Sequence, residues 1–147
     1  MNYPVVIIIP IIVGLIAHLI KSFLIVRKRR QVKLSYFFEY GNMPSAHTAF
    51  VISLISVIGY RDGIASSNFA IAFVFAFIVI GDALRFRRSL ESYGEAINLI
   101  IQKNPDILND KKIPALEERV GHKISEVIVG AILGFLLTGI LIKIFNF

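Results

Sequence analysis

The apolar residues of this 147-residue chain fall into long blocks, and blocks of that length leave few folds open. A helix needs about 20 predominantly apolar residues to cross a bilayer, within a range of about 17 to 25. Residues 5–26, 44–60, 68–84 and 124–145 fit that length, so we expect four spans joined by loops at 27–43 and 85–123. The first span is too long and too mixed for a signal peptide and has no basic residues before it, so it reads as a retained transmembrane helix. Pro4 and Pro10 should bend it or delay its start. The expected fold is all-α: a single domain over 1–147, an integral membrane bundle of about four helices, with a cytoplasmic amphipathic helix in the second loop.

Charge then orients the bundle. The two long loops hold 13 of the 16 Lys and Arg residues, the 61–67 turn one and the N-terminal tail none. The positive-inside rule puts both basic loops in the cytoplasm and both termini on the other side. Arg27-Lys28-Arg29-Arg30-Gln31-Val32-Lys33 alone supplies five of those charges. The net charge of +6 sits beside apolar segments, which reads as topology signal and lipid headgroup contact, with no nucleic-acid partner. The absence of Cys excludes disulfides and thiolate metal sites. In the second loop Leu90, Tyr93, Ile97, Ile100 and Ile101 recur at helical spacing, the pattern of a helix lying along a membrane surface.

Chemistry-bearing residues gather at one membrane level. Pro44-Ser45-Ala46-His47 should open the second span near Pro44, with Ser45 satisfying a free N–H and His47 in the first turn. A helix start offers N–H donors and a positive dipole end, a seat for an anion such as phosphate. His122 precedes the fourth span and lies four residues before Glu126, so an early helix start makes them neighbours on one face. A carboxylate on one imidazole nitrogen raises the basicity of the other, and the plainer role for Glu126 is to cap the helix. Lys21 lies near the same end of the first span. Asp82 lies near that end of the third, where it would pair with Arg85 at i, i+3 or serve the site. His18, within the first span, reads as a packed core histidine. In the fourth span Gly130 and Gly134 form a small-xxx-small pattern, a face that packs on protein and one place for a homo-oligomer to form.

Pro44-Ser45-Ala46-His47 and the stretch from Gly121-His122 through Glu126-Val127 to Gly130 resemble the second and third signature motifs of the type-2 phosphatidic acid phosphatases (PAP2). That superfamily includes the vanadium-dependent haloperoxidases, and the chain is most similar to its divergent, small membrane branch. The resemblance implies phosphate-ester hydrolysis through a phosphohistidine, with no metal and no cofactor. It casts His122 as nucleophile, Glu126 as the acid that orients it, His47 as general acid and Ser45 as a phosphate ligand. Lys21 matches the lysine of the first motif, whose Arg-Pro has no counterpart at Lys28-Arg29. Where the usual third motif has Ser-Arg this chain has Ala115-Leu116, and where it has Asp this chain has Glu126. The phosphate-binding arginine is therefore expected from Arg85, Arg88 or Arg119.

Two functional readings follow. The first is a membrane phosphatase that takes a lipid phosphate or diphosphate sideways from the bilayer at its cytoplasmic face. The second is a non-catalytic membrane protein that uses the same pocket to bind anionic lipid or to assemble with a partner.

Overall fold

The structure, a computed structural model, describes residues 3–30, 42–104, 116, 121 and 123–146. Every element in it is helical, as hydrocarbon demands of a chain that must satisfy its own backbone. The helices are α1 (Tyr3–Arg29), α2 (Ala46–Asp62), α3 (Ser67–Gly81), α4 (Arg87–Lys103) and α5 (Ile124–Ile144). A π-turn, Asp82–Phe86, joins α3 to α4 without a break, so one helical rod runs from Ser67 to Lys103 over 37 residues. Three helical stretches are long and apolar enough to cross a membrane: Pro4–Arg29, Ser67–Lys103 and Ile124–Ile144. The fourth expected span, α2, has 17 residues, the lower end of the spanning range.

Local chemistry sets the helix ends. The start of α1 is not delayed, because Pro4 sits in the first turn, where a missing N–H is unpaired in any case. Pro10 is tolerated inside the same helix. The second helix begins at Ala46, two residues after Pro44, with Ser45 as its N-cap. It ends at Gly63, whose φ of 84° and ψ of 154° are open essentially to glycine alone. Ser66 then caps α3 by accepting the Phe69 N–H at 3.1 Å.

The second helix is the hub, packing against α1, α3 and α5, while α1 also touches α5. Buried positions step by four residues along three helices: Ile9, Val13, Ala17, Lys21 and Ile25 on α1; Ser45, Ala49, Ser53 and Val57 along α2; Glu126, Gly130, Gly134, Thr138 and Ile142 on α5. Rows of this spacing are the ridges that interdigitate when helices pack. A Cβ on Gly130 would sit 2.5 Å from the Ser45 carbonyl oxygen, and one on Gly134 would sit 2.5 Å from that of Ala49. Both glycines are therefore required by the approach of the two backbones, not by any turn. Thr138 Oγ1 lies 2.6 Å from Ser53 Oγ, one step further along. The pairs advance in the same direction on both helices, so α2 and α5 run parallel. The Gly130/Gly134 face packs on protein as expected, but the protein is α2 of the same chain. That face is not available for a homo-oligomer.

By contrast α3 buries only Ala72 and Ala76, and leaves Ile71, Phe73, Val74, Phe75, Phe77 and Ile78 exposed. Between α1, α2 and α3 runs a groove of about 400 Å³, walled by Val6, Leu54, Ile71 and Phe75. It lies at the end where Asp62 accepts the Asn68 amide at 2.7 Å, away from the starts of α2 and α5. Arg61, Asp62 and Asn68 form its polar rim.

Candidate functional site

Because α2 and α5 run parallel, their N-termini share one end of the bundle. The Ser45 N–H donates to the Glu126 carbonyl at 3.0 Å and ties the two helix starts together. Ser45 is fully buried, and its Oγ accepts from the Thr48 hydroxyl at 2.9 Å and from the Thr48 N–H at 3.4 Å. Two helix dipoles with positive ends side by side favour a negative charge placed between them.

His47 stands in the first turn of α2 and is exposed, so a ligand can reach it. It lies in the electrostatic field of Arg87, Lys21, Asp82 and the His18 imidazole. Those neighbours come from two further pieces of the fold. Lys21 is buried on the α1 row, one helical turn from His18, and neither is without a partner. Beside Lys21, Ser22 is 2% exposed and its Oγ has no hydrogen-bond partner among the described residues.

Asp82 does not pair with Arg85. Its carboxylate accepts from Arg87 Nε at 2.8 Å. The reason is local geometry: the Arg87 N–H donates to the Asp82 carbonyl, an i→i+5 bond. One extra residue in the turn carries Arg87 onto the face of Asp82, where α spacing would place Arg85 or Phe86. Both of those are exposed instead. Sequence reasoning thus missed Arg87 and His18 as neighbours of His47. His18 and Lys21 are three apart on one helix, a spacing that could have linked them; no residue pattern announced the π-turn.

Glu126 is buried, and its Oε2 accepts the Lys123 N–H at 3.1 Å, the capping role considered from the sequence. Glu126 has a further interaction as well. His122 and Arg119 lie outside the described residues, as does the side chain of Arg88. Leu116 is fastened to α4: its N–H donates to Asn98 Oδ1 at 3.0 Å, and Asn98 Nδ2 donates to its carbonyl at 2.9 Å. Among the described residues no three His, Asp or Glu side chains come together as metal ligands would.

Together these place an exposed imidazole, under the charges of Lys21, Arg87 and Asp82, at the paired helix starts at one end of the bundle. No solved structure matches the chain. It is 35% identical over 115 residues to the uncharacterized membrane protein YuiD of Bacillus subtilis (strain 168), covering 71% of this chain and 73% of that one. The model described as "Divergent PAP2 family" matches residues 3–137, which takes in α1 and most of α5 with both motifs between. The chain is an integral membrane protein and belongs to the divergent PAP2 family.

Proposed function

We propose that this protein is a membrane phosphatase that hydrolyses a lipid phosphate or diphosphate at the cytoplasmic face, with both chain termini on the opposite side. The observation that carries the reading is the Ser45–Glu126 hydrogen bond of 3.0 Å. It brings the helix start bearing His47 against the helix that begins just after His122. In this scheme a His122 nitrogen attacks the terminal phosphorus, a P–N bond forms, and the P–O bond to the leaving group breaks, the lipid alcohol of a phosphate or the lipid phosphate of a diphosphate. His47 gives the leaving oxygen its proton, then takes one from the water that cleaves the phosphohistidine. Glu126 orients His122. Lys21 supplies positive charge to the phosphoryl oxygens, and the paired helix starts, held together by Ser45, stabilise the charge that builds on them. A scissile bond at the membrane boundary leaves the acyl chains in lipid.

One observation favours the non-catalytic reading: Glu126 Oε2 serves the cap at Lys123. Phosphate release separates the two. Wild type and His122→Ala are purified in the same detergent and assayed on a panel of lipid phosphates and diphosphates. The expected result is release by wild type that falls to background in the variant. Equal background from both would leave an anionic-lipid binding or assembly site in its place.

A further inference from the structure

The cluster around His47 holds an arginine that no motif assigns. We propose that Arg87, aimed by Asp82 across the π-turn, is the arginine that grips the phosphoryl group of the ligand. The inference rests on the phosphate-site reading above, and on three features of the fold. First, the helix departs from α geometry at this one place. An ordinary turn would already offer Asp82 a partner in Arg85 at i+3. The π-turn selects Arg87 instead, and π-turns within α-helices are frequent at functional sites. Second, the charge of Arg87 bears on His47 from outside α2, as that of Lys21 does from α1. Third, the pair is accessible: the Arg87 and Asp82 side chains are 25% and 43% exposed. A bond to Nε fixes the plane of a guanidinium, whose Nη1 and Nη2 carry the N–H pairs that match two phosphate oxygens. Asp82 is thus a positioning residue and Arg87 a binding residue. The ligand class is a terminal phosphoryl group on a lipid.

The test is equilibrium binding of the phosphonate analogue of dihexanoyl phosphatidic acid, which cannot be hydrolysed at its P–C bond, to the full chain in neutral detergent. Arg87→Gln should weaken binding about 10- to 100-fold, the range for a charge-assisted contact. Arg87→Lys should recover part of the loss by restoring a point charge. Lys143→Gln, which removes one charge at the other end of α5, should leave affinity unchanged. Asp82→Asn should give a smaller loss, and the Asp82→Asn/Arg87→Gln double variant should bind no more weakly than Arg87→Gln alone. A role of the pair in folding alone would lower thermal stability of the Asp82 and Arg87 variants while leaving the affinity of the folded fraction unchanged. Equal affinity of Arg87→Gln and parent, or no detectable binding by the parent, overturns the proposal. Additive losses in the double variant overturn the positioning role of Asp82. Hydrolysis by wild type with intact binding in Arg87→Gln removes Arg87 and leaves the phosphatase reading standing. Binding that depends on Arg87 without hydrolysis does the reverse.

Discussion

The seam between α2 and α5 and the rod formed by α3 and α4 reach the same site by different physical means. In the seam two backbones touch across Gly130 and Gly134, and Ser45, Ser53 and Thr138 exchange hydrogen bonds along it. In the rod, α3 meets α2 through Ala72 and Ala76 and turns large apolar side chains outward. Lipid tails are as apolar as those side chains, so their exposure carries no penalty in a bilayer. Close van der Waals contact and interhelical hydrogen bonds must hold membrane helices together instead. The seam has both. It therefore fixes the geometry of His47 against the start of α5, while the rod contributes a charged pair whose direction is set within one turn of helix.

The sharpest way to break this contrast is to fill the seam. Gly134→Leu places a side chain where even a Cβ would lie 2.5 Å from the Ala49 carbonyl oxygen. We expect a loss of about 3 kcal/mol or more, read as a lowered unfolding midpoint in detergent, because backbone cannot yield as a side chain can. Gly139→Ala is its partner experiment on the same helix. Nothing lies within 4 Å of a Cβ there. That variant should be neutral or gain up to about 1 kcal/mol from helix propensity. Equal effects at the two glycines would mean that the close approach of α2 and α5 is not what stabilises the bundle.

A smaller effect sharpens the polar side of the seam. Ser53→Ala and Thr138→Ala should each cost about 1 kcal/mol, and the double variant less than their sum, since both remove the same 2.6 Å contact. Additivity in that cycle would assign the stability of this region to packing alone. The smallest effect belongs to the rod. Phe77→Ala should change stability by less than about 0.5 kcal/mol, as at other positions outside a packed core. A large loss there would show that α3 faces protein, and that the rod is as tightly partnered as the seam.

Much of the local geometry at the two helix starts is legible in the sequence. Ser45 as a cap and His47 in the first turn followed from a Pro-Ser-x-His opening ahead of an apolar run, because capping is local chemistry. Glu126 at the start of α5 followed in the same way. The partner of Asp82 did not, since an i, i+3 pairing presumes an unbroken α-helix and one added residue moves the register. Gly130 and Gly134 pointed to a packed face without saying which helix fills it.

By itself the sequence determined the membrane class, the all-helical fold and the helix starts near Ser45 and Ile124. Those are properties of composition and of neighbours a few residues apart. Only the tertiary structure decided that α2 and α5 run parallel in contact, that α2 is the hub, and that Asp82 pairs with Arg87. The physical reason is that lipid and protein interior are equally apolar, so hydrophobicity can send a helix into the bilayer without specifying which of its faces meets another helix.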